Sequence, residues 1–83
     1  MEKSYPNKIA WCPVCNQGWV EIVKAKETGH MFVCCSECEV EWEHPDEVSQ
    51  QDKGTRFKHG EVVQPSAAQI KEFGWGIYVN GTQ

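Results

Sequence analysis

No stretch of this sequence is apolar for more than a few residues, so nothing in it reads as a membrane span, which needs roughly 20 such residues. Nor does it open on the basic head and apolar stretch of a secretory signal. Basic residues are scarce: eight Lys and Arg face twelve Asp and Glu, for a formal charge of -4 and a pI near 5.3. Nucleic-acid binding draws much of its affinity from cations that displace counterions from phosphates, so this composition counts against it. Motifs of common enzymes are missing as well. There is no Gly-rich phosphate loop and no Gly-x-Ser-x-Gly nucleophile elbow. The Pro-Cys-x-x-Cys half of the nucleobase-deaminase signature is also absent. No internal repeat or low-complexity tract interrupts the chain.

What is abundant, in 83 residues, is cysteine. A chain this short is one domain whose hydrophobic core supplies little surplus stability, so it needs a staple. Five cysteines name sulfur as the means, but an oxidised framework would leave one unpaired. The expectation is a soluble cytoplasmic protein with reduced thiols that bind metal. Cys12-x2-Cys15, nineteen intervening residues, then Cys35-x2-Cys38 is zinc-ribbon spacing. Each turn presents two sulfurs, and an intervening hairpin brings the turns together. A redox reading is weaker, because a thioredoxin-like site wants a single Cys-x2-Cys opening a helix. Four thiolates around one zinc leave no open position for water, so the metal is expected to be structural and the protein not an enzyme. Cys34 could serve nearly as well as Cys35. Symmetry with the first pair selects Cys35 and leaves Cys34 as a small buried apolar residue. His30, His44 and His59 are expected to be surface or packing residues.

The fold class expected is a small metal-stabilised α+β domain. Residues 1–44 form a ribbon of antiparallel hairpins with two cysteine knuckles, and residues 45–83 pack on it as a loop, a short helix and a terminal strand. Gly18 is read as closing the first knuckle with a positive φ. Residues 19–26 are rich in branched and aromatic side chains, and Glu27-Thr28-Gly29 reads as the turn into a second strand at 30–34. From 39 to 44 the chain alternates strictly, with Glu39, Glu41 and Glu43 on one side and Val40, Trp42 and His44 on the other. Pro45-Asp46-Glu47-Val48 suits one helical turn, and 56–63 a short extended stretch. Ser66-Ala67-Ala68-Gln69 reads as a capping box opening a two-turn helix, with Ile70 and Phe73 on one face and Gly74 as its left-handed stop. Residues 75–79 look like a strand, and Asn80-Gly81 a turn. Trp19 and Trp42 are expected in the core.

Cys12-Pro13-x-Cys15-x2-Gly18, a turn at Thr28-Gly29, then Phe32-Val33-x-Cys35-Ser36-Glu37-Cys38-Glu39-x2-Trp42 resembles small bacterial zinc-ribbon proteins. Some of these are similar to immunity proteins of polymorphic toxin systems, such as contact-dependent growth inhibition. The capped helix ending Phe73-Gly74-Trp75 is similar to the segment that follows the ribbon in such proteins. The resemblance covers about half the chain. It implies one structural zinc ion and a protein partner to be neutralised.

Two function classes follow. In the first, Glu39, Glu41, Glu43, Asp46 and Glu47 form a one-sign face that steers a basic protein, such as a nuclease-type toxin domain. A zinc tetrathiolate carries about -2, so the loaded protein would sit near -6 and sharpen that preference. In the second, Lys24, Lys26, Arg56 and Lys58 with Trp11, Trp19 or Phe57 form a local strip for nucleic acid, as an accessory of transcription or translation.

Overall fold

The computed structural model describes residues 7–56 and 58–79. Its centre is a hairpin. Branched and aromatic residues extend β2 (Trp19–Ala25) and β3 (Met31–Cys35), which pair antiparallel with Val20 opposite Cys35 and Ile22 opposite Val33. Gly29, at φ 78°, closes the turn where expected and donates to the Ala25 carbonyl. β1 (Lys8–Trp11) pairs with the start of β2, and β4 (Val40–Trp42) with β3. β5 (Thr55–Arg56) adds to the far side of β4, while β6 (Val62–Val63) pairs with the end of β2 on the opposite edge of the sheet.

Residues 56–63 are therefore not one extended stretch. The chain leaves the β5 edge, turns at Gly60 with φ 72°, and re-enters the sheet beyond β2. This crossing covers one face. Strand alternation sends Val20, Ile22, Met31, Val33, Cys35, Val40 and Trp42 to the other face, where Val48, Ile70 and Trp75 close the main core. Beneath the crossing lie Val23, Ala25, Phe32 and Cys34, with the His59 ring 4.3 Å from that of Phe32. Trp42 is buried as expected, and Trp19 only partly so.

The expected helical turn at Pro45 is a 3-10 helix, Pro45–Glu47, whose N-cap His44 accepts from the Asp46 N–H through Nδ1. A second 3-10 turn, Gln51–Lys53, forms within what reads as loop. Helix α1 (Ala67–Glu72) has the expected reciprocal cap: Ser66 Oγ accepts from Gln69 N–H, and Gln69 Oε1 from Ser66 N–H. At its other end Gly74 is left-handed, its N–H bonds the Lys71 carbonyl, and the Trp75 N–H reaches back to the Ile70 carbonyl. Ile70 is buried, but Phe73 is half exposed and instead meets Trp75 edge-on.

The terminal strand expected at 75–79 is a 3-10 helix, Gly76–Tyr78. Tyr78 and Val79 N–H groups bond the carbonyls of Trp75 and Gly76, pairing within the segment rather than with a neighbouring strand. Asn80 and Gly81 lie outside the described residues.

Candidate metal centre

The β1–β2 loop supplies Cys12 and Cys15, and the end of β3 with the turn before β4 supplies Cys35 and Cys38. The four sulfurs all lie within 4.8 Å of one another. Cys12 Sγ stands 3.8 Å from Cys38 Sγ, and Cys15 Sγ 3.6 Å from Cys35 Sγ. A tetrahedral ion with metal–sulfur bonds of about 2.3 Å separates its sulfurs by about 3.8 Å, so the tetrad could hold one zinc-sized ion. Cys12 and Cys35 are fully buried, and Cys15 and Cys38 partly so.

The two knuckles repeat one geometry. Val14 N–H points to Cys12 Sγ, and Glu37 and Cys38 N–H groups to Cys35 Sγ, at 3.3–3.5 Å. These donors favour thiolates. Directly after the second cysteine of each pair the backbone is left-handed, at Asn16 (φ 55°) and Glu39 (φ 65°). Asn tolerates this conformation more readily than Glu does.

Gly18 does not take the positive φ expected of it; Asn16 does. A Cβ on Gly18 would stand 2.4 Å from Glu37 Cγ and 2.9 Å from Glu37 Cβ, so glycine is there to let the second knuckle approach. Ser36 N–H donates to the Trp19 carbonyl, and Trp19 N–H to Ser36 Oγ, which fixes that approach.

Without metal, burial pushes the Cys12 thiol up and that of Cys35 to about 12. Cys15 is held at about 7, its desolvation outweighed by the Gln17 backbone and the neighbouring thiols. A cation that binds here must displace protons. Cys34 turns to the opposite face of the sheet, and Cys35 joins the tetrad in its place. Desolvation, then the charges of Glu41 and Glu39, raise the Cys34 thiol to about 12, so it stays protonated.

The five acidic residues do not form one open face. Glu39 lies outside β4 in its left-handed turn and is exposed, as is Asp46, while Glu47 is partly buried. Glu41 is buried. Alternation does set it opposite Trp42, but the crossing segment covers that side. Glu43 is engaged within the chain: His30 Nε2 lies 2.8 Å from one carboxylate oxygen, and His59 Nε2 (2.7 Å) and Lys58 Nζ (3.2 Å) contact the other. His30, Glu43 and His59 form a second group with metal-ligand spacing. The Lys58 ammonium already balances its carboxylate and would repel an entering cation, so the cluster acts as a latch that pins the crossing segment to the sheet. Sequence reasoning missed it because its members come from three separate segments.

Desolvation opposes ionisation of Glu43, but the hydrogen bonds from His30, His59 and Lys58 prevail and hold its carboxyl near 2. A depressed folded-state pKa stabilises above the ordinary carboxylate value and is lost as pH falls through the folded one. Glu43→Gln is expected to lower stability by about 1 kcal/mol or less near pH 6, since Glu43 is exposed enough for solvent screening. The gap to wild type should shrink as pH falls below about 4.5, as read from urea midpoints over the range where both proteins stay folded. A gap that widens below about pH 4.5 would contradict the latch.

Three of the four cations in the expected nucleic-acid strip are engaged within the chain. Lys26 faces Glu61 at 3.7 Å, Lys58 is taken by Glu43, and Arg56 Nε donates to the Cys38 carbonyl. Lys24 sits elsewhere, beside Met31 and Phe73, and Phe57 lies outside the described residues. Trp11 and Trp19 meet edge-on with Lys8 over the Trp19 ring. Among the described residues no helix is long and apolar enough to cross a membrane. No family model, curated protein or solved structure matches the chain, so its function is read from this geometry.

Proposed function

We propose that the tetrad holds one structural zinc ion in a zinc ribbon, and that the domain is a non-enzymatic module for binding a basic protein. The observation that carries this reading is the closed set of four cysteines: it spends every tetrahedral position on protein ligands and adds about -2 to an already acidic chain. Glu37 and Glu39, exposed beside the second knuckle, extend the same field. The finer reading is a cytoplasmic immunity-type protein that neutralises a nuclease-type toxin domain. It rests on the motif resemblance and on charge.

Because Glu41 is buried and Glu43 is latched, the steering charges to test are Glu39 and Asp46. The zinc-loaded wild type, used as bait in host lysate, should retain a basic protein whose binding weakens with salt. The Glu39→Lys/Asp46→Lys double variant should keep its zinc and circular dichroism, yet associate with that protein roughly three- to tenfold more slowly at low salt. Retention of nucleic acid alone, or an unchanged association rate, would reject the reading.

A further inference from the structure

The segment that crosses the second face of the sheet does not seal it. Between the crossing and the strands lies a cavity of about 320 Å³, open to solvent. Glu21, Glu39 and Glu41 line it, with Cys34, Gln64 and the side chains of Val62 and Val63. No Lys, Arg or His is among the described residues that form its wall.

Glu41 is 5% exposed, and its Oε1 has no hydrogen-bond partner among the described residues. A buried carboxylate oxygen without a donor is costly, and every other charged group on the wall has the same sign. Glu21 Oε1 is oriented by the Gln64 amide at 3.1 Å, so part of the wall is held in place. A carboxylate with one buried oxygen that lacks a donor among the described residues therefore borders a space large enough for several heavy atoms, where a cationic donor is favoured.

The space selects the kind of cation. These carboxylates and the Cys34 thiol are not among the groups whose ligand atoms converge within 4.8 Å. A bare divalent ion takes oxygens at about 2.0–2.6 Å and would leave most of the volume empty. Val23, Val62 and Val63 offer apolar wall to an alkyl stem, and Glu41 offers an acceptor to the head.

We propose that this cavity is a binding site for an organic cation, an alkylammonium or alkylguanidinium group, whose N–H donors are received by the Glu41 carboxylate while Glu39 supplies further attracting charge. The group can belong to a free amine or to a Lys or Arg side chain of a protein, and in the second case the site would anchor the basic partner proposed above. The site itself does not depend on that partner.

The test titrates agmatine, spermidine and Nα-acetyl-arginine amide, with Nα-acetyl-citrulline amide as the uncharged control, into the zinc-loaded full chain at low salt. Amide NMR shifts are followed at Cys34, Gly60, Val62 and Gln64. At least one cation should saturate these amides with a dissociation constant no weaker than about 1 mM, and the citrulline control should not. Glu41→Gln, which keeps the shape, should weaken binding at least tenfold. Should Glu41→Gln misfold, Glu39→Gln at its exposed position should still weaken binding several-fold. Saturation by a free polyamine in the micromolar range assigns the site to small amines. Millimolar binding by all three, with tight saturation by an Arg- or Lys-containing peptide of the captured partner, assigns it to a side chain. No localised shifts with any cation, or equal binding by Glu41→Gln and wild type, overturns the proposal. Amine binding that survives in Asp46→Lys, a position outside the cavity wall, while partner capture fails separates this site from the protein-binding reading.

Discussion

Stripping the metal with a strong chelator is expected to unfold at least the knuckles and the hairpin between them. In small zinc domains the metal-binding free energy is largely folding free energy, on the order of 10 kcal/mol, comparable with the whole stability of an ordinary domain. Here the tetrad ties the β1–β2 loop to the end of β3, and two of its sulfurs are fully buried. Four empty thiols would leave that junction to a few backbone bonds. Far-UV circular dichroism should collapse as zinc leaves and return when it is restored. Cys12→Ser and Cys35→Ser should reproduce the collapse. Cys34→Ser should be mild, because its sulfur lies on the other side of the sheet from the tetrad and makes a weak contact to the Cys35 carbonyl that a hydroxyl can keep. An unchanged spectrum after verified zinc loss would show that the apolar core suffices without the ion. A severe Cys34→Ser with a harmless Cys35→Ser would move the fourth ligand.

Trp42→Ala should cost about 3–5 kcal/mol even with zinc saturating. Trp42 is 1% exposed and is the largest fully buried side chain, in a core shared with Val33, Val48, Ile70 and Trp75. It thus joins the sheet to the helix and to the 3-10 segments that follow β4. Truncation opens a cavity at that junction and takes from the Gln50 carbonyl the indole N–H that now reaches it at 3.2 Å. Trp42→Phe should lose much less, since it keeps most of the packing. Urea midpoints in excess zinc would measure both. An alanine variant within about 1 kcal/mol of wild type would mean that the C-terminal half does not lean on this residue.

Features that a few neighbouring residues can satisfy among themselves were legible in the sequence. The two cysteine pairs announce their turns, Gly29 its hairpin, Pro45 its helical turn, and Ser66 with Gln69 and Gly74 the two ends of the helix. Each closes its hydrogen bonds within about five residues, so residue type and spacing are enough. The same local logic misjudged Gly18. Its reason for being glycine is Glu37, nineteen residues away, and not its own dihedral angle.

Sequence alone determined which two cysteine pairs would be brought together and how the residues around β4 would alternate between faces. Tertiary structure decided what became of those faces. Period-two alternation places Glu39, Glu41 and Glu43 on one side, but it carries no information about which distant segment will cross that side. The crossing at residues 58–61 buried Glu41 and let His30, His59 and Lys58 claim Glu43, while Glu39, in its left-handed turn, stayed exposed. Likewise, residues 75–79 have the composition of a strand. With Trp75 in the core, the Tyr78 and Val79 N–H groups find carbonyls three residues back, which coils the segment into a 3-10 turn. Burial and charge pairing are properties of contacts between segments far apart in the chain, and only the folded chain brings those segments together.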